Sequence, residues 1–171
     1  MNNSHLNIEN LIADTLNESV KVKQEFIKSH IAQIESCAAL IVDTLKQGGK
    51  LLIFGNGGSA ADAQHFAAEF VNRFQIERPP LAALSLTTDT SIITSIGNDY
   101  SFDDIFLKQI QAFGKKGDIA VCISTSGNSQ NVIKAAVEAK KMGLHIVGLS
   151  GAKGELKEIS DIAFCVNCAV T

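Results

Sequence analysis

Apolar positions along this chain follow two different periods, and the change from one to the other divides it. From Ile8 to Leu45 they recur three and four residues apart (Ile8, Leu11, Ile12, Leu16, Val20, Val22, Phe26, Ile27, Ile31, Ile34, Ala38, Ile41, Val42, Leu45), which is helical spacing. The stretch is long for one globular helix, so it predicts two, with a break near Ser29-His30 and an end at Gly48-Gly49. Beyond Gly49, short apolar runs alternate with helical stretches. Strands are expected at 51–54, 81–86, 119–123, 145–149 and 162–166, and helices at 59–74, 88–96, 102–113 and 129–142. Five short Val-, Ile- and Leu-rich strands separated by helices predict an α/β fold: a three-layer αβα sandwich around a parallel sheet of flavodoxin-like order 2-1-3-4-5. Residues 1–171 are read as a single domain, with helices at 1–48 for oligomerisation and an αβα core at 49–171, because the leading helical stripe lies outside the strand-helix core.

Two of the strands run into loops of the same character. Leu51-Leu52-Ile53-Phe54 enters Gly55-Asn56-Gly57-Gly58-Ser59, and Ile119-Ala120-Val121-Cys122-Ile123 enters Ser124-Thr125-Ser126-Gly127-Asn128-Ser129. A helix N-terminus offers unpaired N–H groups and partial positive charge, so two such loops side by side can hold a phosphorylated ligand without basic side chains. In the order 2-1-3-4-5 the sheet reverses direction between its first and third strands, and both loops follow those strands. Ser124, Thr125, Ser126 and Ser129 are the candidate hydroxyl donors to phosphate, with Gly127 allowing tight curvature. The alternative is ordinary turn and cap chemistry, which two loops at one switch point make less economical.

The first loop also fits a loosened dinucleotide fingerprint, Gly55-x-Gly57-x-x-Ala60, but the acidic residue expected about 20 positions on is represented only by Asp89, about ten positions late. A Gly-Lys-Ser/Thr ending is absent, which excludes a triphosphatase P-loop. A net charge of -3, with 15 Lys and Arg residues scattered and no basic run, argues against nucleic acid. No apolar stretch reaches about 18 residues, the length expected of a membrane span, and the polar start Met1-Asn2-Asn3-Ser4-His5 lacks the layout of a signal peptide, so no membrane association and cytoplasmic residence are expected. Cys37, Cys122, Cys165 and Cys168 read as buried free thiols, although Cys165-Val166-Asn167-Cys168 has metal or redox spacing.

On the first core helix, His65 and Glu69 stand four apart and project from one face. They can supply two metal ligands, or a ligand and a proton-transfer base; an ordinary solvated pair has the same spacing. His145 opens a strand and reads as structural, while His5 and His30 fall in the helical arm and read as exposed or interfacial.

Gly55-Asn56-Gly57-Gly58-Ser59, Asp62-Ala63-Gln64-His65-Phe66-Ala67-Ala68-Glu69-Phe70, Thr87-Thr88-Asp89-Thr90-Ser91, Gly97-Asn98-Asp99-Tyr100 and Ile123 through Ser129 together resemble the sugar isomerase (SIS) fold family. The similarity is nearest to members that isomerise phosphorylated heptoses, and it spans nearly the whole chain. It implies conversion of sedoheptulose 7-phosphate to D-glycero-D-manno-heptose 7-phosphate, the first step toward the heptoses of bacterial lipopolysaccharide, by a cytoplasmic homotetramer with one zinc per subunit. By motif it implies that Asn56, Gly57, Gly58, Asn98 and Asp99 contact the sugar, that Ser124, Thr125, Ser126 and Ser129 hold its phosphate, and that His65 and Glu69 bind zinc. Glu69 is also the implied catalytic base. The family pattern continues past the last strand into a helix whose Gln and His complete the metal and catalytic set, beyond Thr171, so zinc is expected to be incompletely held by residues 1–171. The alternative is a non-catalytic SIS-domain protein that associates with the bacterial replication initiator. Such proteins resemble this chain at residues 63–68, at Asn72-Arg73-Phe74 and at Arg78-Pro79, but lack the glutamate present here as Glu69.

Overall fold

Leu51, Leu52, Ile53 and Phe54 carry no polar side chain among them, and all four are fully buried. A strand can bury every position only if both faces of its sheet are covered. In the computed structural model, which describes residues 7–168, this segment is the inner strand β1 (Leu51–Gly55). It is flanked by β2 (Ala83–Ser85) and β3 (Ile119–Ser124), followed by β4 (His145–Gly151) and β5 (Ile162–Val166). All pairings are parallel and the order is β2-β1-β3-β4-β5, as expected.

Alternation along β1 sorts the core into two layers. Leu52 and Phe54 face a cluster with Ile105, Phe106, Ile110, Val132, Ala136 and Leu156, in which the Phe54 and Phe106 rings meet at 5.1 Å. These residues come from α4 (Leu107–Phe113), α5 (Gln130–Lys141), α6 (Glu155–Ile159) and the segment before α4. Leu51 and Ile53 face the opposite cluster with Cys37, Ala63 and Ala67, from α1 (Ile8–Lys46) and α2 (Gly58–Val71). Full burial of a side chain such as Phe54 contributes about 1.5–3 kcal/mol.

The amino-terminal arm departs from expectation. It is one continuous helix of 39 residues, about 58 Å long, with no break at Ser29-His30. Ser29 donates its hydroxyl to the carbonyls of Glu25 and Phe26, and His30 Nδ1 lies 2.9 Å from the Phe26 carbonyl, so both polar side chains fold back onto the helix they were expected to interrupt. His30 is half-buried, stacked on Phe26 at 4.3 Å and tilted against Phe164 of β5. The continuous helix keeps much of its apolar stripe in the open, including Ile8, Leu11, Ile12, Leu16, Ile27 and Ile31. His5, the polar start and Thr171 lie outside the described residues.

Other boundaries shift more modestly. The helical pattern at 102–113 resolves into a 3-10 turn at Phe102–Asp104 and α4, and the second strand is only three residues long. Asp89, the late candidate for a ribose contact, instead caps α3 (Thr90–Asp99) by accepting the Ile92 N–H at 2.9 Å. His145 is exposed at the head of β4, where its N–H donates to the Asp118 carbonyl, in keeping with a structural reading. All four cysteines are free, but only Cys37 and Cys122 are buried; Cys165 and Cys168 are half-exposed at and just beyond the edge strand. Burial raises both buried thiols above the ordinary cysteine range and makes them inert.

Candidate active site

The two small-residue loops emerge next to each other at the carboxyl ends of β1 and β3, which are paired through Gly55 and Ile123. Close approach explains the glycine in the first: a Cβ on Gly55 would lie 2.6 Å from the Ile123 carbonyl oxygen. The second loop turns through Gly127 at φ +68°, and a Cβ there would meet the Lys153 carbonyl at 2.7 Å. Its outer side is braced by the turn into α6, where the Leu156 N–H donates to the Gly127 carbonyl and the Glu155 N–H to Asn128 Oδ1.

The candidate hydroxyls are not equivalent. Ser124 is buried and donates to Ser129 Oγ at 3.0 Å, while Ser126 Oγ accepts the Asn128 N–H at 3.1 Å. Thr125 and Ser126 are exposed, and Ser129 is the N-cap of α5 without a side-chain capping bond, so its hydroxyl, which accepts from Ser124, keeps its own proton to donate. The first acceptor use inside α5 is of the Ser129 carbonyl by Val132 and Ile133; the N–H groups of Gln130 and Asn131 point beyond the helix tip without a backbone acceptor among the described residues. A cavity of about 290 Å³ at this crest is lined by Ser59 and Asp62 of α2, Thr125 of the second loop, Ser150 of β4, and Cys168. This cavity reaches the second loop at Thr125 and the first turn of α2 at Ser59, and its lining does not include Ser126, Ser129 or α5.

Asn131 is a site residue that the spacing of motifs did not single out. It is buried at the second position of α5, and its amide exchanges two hydrogen bonds of 2.9 Å with Asn56. Its proximity to a partner 75 residues earlier is invisible in a linear pattern.

His65 and Glu69 face the same way, with Nε2 and Oε1 3.0 Å apart. The Glu69 side chain is about one-third exposed, whereas His65 stands mostly in the open. Arg78 fixes the helix exit beneath them by donating to the carbonyls of Glu69 and Phe70 at 2.6 and 2.8 Å. Glu69 borders a hollow walled by Phe66, Phe70, Phe74, Arg78 and Leu81, distinct from the one lined by Ser59 and Thr125. Rise along α2 separates His65 from the first loop by about 10 Å. Asn98 and Asp99 lie in the last turn of α3, where the Asn98 amide donates to the Asp99 carboxylate at 2.8 Å. The pairing of β1 with β3 sets the loop of Asn56, Gly57 and Gly58 beside that of Ser124, Thr125, Ser126 and Ser129, while Glu69 borders a separate hollow further along α2.

Imidazole nitrogen and carboxylate oxygen are donor types that zinc takes, and two ligands of a tetrahedral ion at about 2.1 Å stand roughly 3.4 Å apart. The 3.0 Å between Nε2 and Oε1 needs only a small side-chain rotation to match. The pair fits as two of the three or four protein ligands required; no larger cluster of His, Cys, Asp or Glu occurs among the described residues.

The SIS domain family model matches residues 16–151 of this parallel αβα sandwich. The chain is 52% identical over 163 residues to a phosphoheptose isomerase of Thermodesulfovibrio yellowstonii, covering 94% of this chain and 81% of that protein. Among solved structures it is similar to phosphoheptose isomerases of Neisseria gonorrhoeae (43% identity, TM-score 0.86) and Francisella tularensis (36%, TM-score 0.91), each match covering 96% of this chain and 88% of the other. The chain belongs to the phosphoheptose isomerase branch of the SIS-domain family.

Proposed function

We propose that the protein is an aldose–ketose isomerase that converts sedoheptulose 7-phosphate to D-glycero-D-manno-heptose 7-phosphate, at the start of heptose supply for bacterial lipopolysaccharide. The observation that carries this reading is the pairing of β1 with β3, which sets two glycine- and hydroxyl-rich loops side by side at the crest of the sheet, the second opening α5 with its first N–H groups unpaired among the described residues, on a chain that keeps a glutamate on α2. The phosphate end is held by the hydroxyls of Thr125, Ser126 and Ser129 and the open N–H groups of α5. Asn56, Gly57 and Gly58 line the sugar, and Asn98 and Asp99 contact it.

Isomerisation moves a proton between adjacent carbons while a carbonyl and a hydroxyl exchange places through an enediolate. Glu69 is the base that removes the proton from one carbon and returns it to the other. Its backbone is fixed by Arg78, and Phe66 and Phe70, edge to face at 5.2 Å, line the same hollow. Zinc, held by His65 and Glu69 with ligands from outside this pair, would act as a Lewis acid on the carbonyl oxygen.

The protein works as a cytoplasmic homotetramer in this reading. Support comes from the apolar stripe of α1, which stands open along most of its length, and from the placement of Glu69 on a hollow that none of the second loop's residues lines. Assembly buries the first and gives the second a route to completion. No described helix is long and apolar enough to cross a membrane.

A coupled assay with sedoheptulose 7-phosphate, run beside a pull-down with the replication initiator, tests the reading. Isomerisation without initiator binding is expected; initiator binding without isomerisation would replace it with the non-catalytic alternative, which the relatives do not favour.

A further inference from the structure

Among the described residues, the reciprocal amide pair between Asn56 and Asn131 is the side-chain hydrogen-bonded link between the first loop and the start of α5. Each amide offers a donor to the other's carbonyl oxygen, at 2.9 Å in both directions, so the two side chains form a closed ring of hydrogen bonds. Asn131 has only 3% of its surface exposed, and among the described residues it has no other side-chain partner. A buried amide without partners is costly, so the position of Asn56 satisfies Asn131 as much as Asn131 restrains Asn56. The two anchors differ in what else holds them. Asn131 belongs to a 12-residue helix packed against the sheet, whereas Asn56 sits in a loop between Gly55 and Gly57, the latter at φ +56°. Flanking glycines leave that loop with little intrinsic rigidity.

We infer that Asn131 is a positioning residue for the proposed isomerisation: through its amide ring with Asn56 it fixes the first loop against the helix that seats the phosphate. It does not touch the substrate. Acting through Asn56, it makes the part of the loop that lines the sugar keep register with the anchored phosphate, so that the reacting carbons lie at a fixed distance from the seat. This inference rests on the isomerase reading above and adds a residue to it.

The test uses the full-length protein with sedoheptulose 7-phosphate as substrate and inorganic phosphate as a competitive probe of the seat alone. Asn131→Leu conserves volume and removes the amide; Asn131→Ala serves the same purpose if leucine is not accommodated. Expected is a fall in kcat/KM of tenfold or more, with the inhibition constant of phosphate within threefold of wild type. Adding Asn56→Ala to the position-131 variant should change kcat/KM by less than twofold relative to Asn56→Ala alone, because the pair acts as a unit. A kcat/KM within twofold of wild type overturns the inference. So does a loss of phosphate inhibition in proportion to kcat/KM, which would make Asn131 a support of the helix tip only, and so do losses that multiply in the double variant. Turnover by the wild-type protein is the separate control: its absence sinks the isomerase reading, whereas active wild type with unaffected variants sinks only the role of the pair.

Discussion

The second loop and the exit of α2 are both parts of the proposed site, yet one is finished within the chain and the other is not. Around Ser124–Ser129 the backbone is clamped by Gly127 against the turn into α6, the hydroxyls are cross-bonded, and Asn131 ties the helix tip to the first loop. Around Glu69 the backbone is fixed by Arg78, but the side chains border an open apolar hollow with Phe74 and Ile76 strongly exposed nearby. An anion seat needs only backbone dipoles and small hydroxyls, which one strand-helix junction supplies. Proton transfer needs a carboxylate aimed at particular carbons and shielded from water, and a single α2 face leaves that shielding to other surfaces.

Substitutions at the two regions should therefore separate. The largest effect is expected from Glu69→Gln, which keeps shape and removes the base: kcat should fall by about 10²–10⁴-fold, with the affinity for inorganic phosphate unchanged within a factor of about three. Steady-state kinetics alongside calorimetric titration of phosphate checks it, and near-normal turnover would remove Glu69 from its role. Next, Gly127→Ala forces a left-handed backbone on a residue with a Cβ and drives that atom into the Lys153 carbonyl. We expect a cost of about 1–3 kcal/mol from the backbone alone, read as a melting temperature several degrees lower, together with weakened phosphate binding.

Leu16→Glu addresses the open stripe of α1, where 62% of the leucine is exposed in a single chain. If assembly buries it, the variant loses about 1.5–3 kcal/mol of burial per subunit, and sedimentation should show smaller species. Unchanged mass would indicate that this part of the stripe is not covered. The smallest effect is expected from Lys21→Ala, which removes an exposed pairing with Glu25 at 4.0 Å. A change in stability no greater than about 0.5 kcal/mol in chemical denaturation, with unchanged kinetics, gives the baseline against which the other three are read.

The strands and the helices between them were legible because each is a local signal repeated, and the order 2-1-3-4-5 followed from the common arrangement of five-stranded parallel sheets. The run Leu51–Phe54 reads as a buried strand in that alternation, and glycine and serine clusters after two such strands mark the crest of the sheet. The break predicted at Ser29-His30 failed for a local reason of its own: serine and histidine satisfied their polar groups on the carbonyls one turn back, so the helix had nothing to lose by continuing. The His65–Glu69 pairing was visible as an interval of four, but its separation from the phosphate hollow was not, because intervals within a helix carry no information on which cavity its face borders.

By itself the sequence determined the parallel sheet, its cover of helices on both faces and the pair of loops at its crest, since burial periodicity and turn chemistry act over a few neighbouring residues. Only the tertiary structure decided that Asn131 meets Asn56, that Ser124 spends its hydroxyl on Ser129, and that Glu69 opens on a different hollow from the one beside Thr125. Those outcomes depend on where separate elements are placed by the shared sheet, and packing between distant segments is set by the whole fold rather than by any interval along the chain.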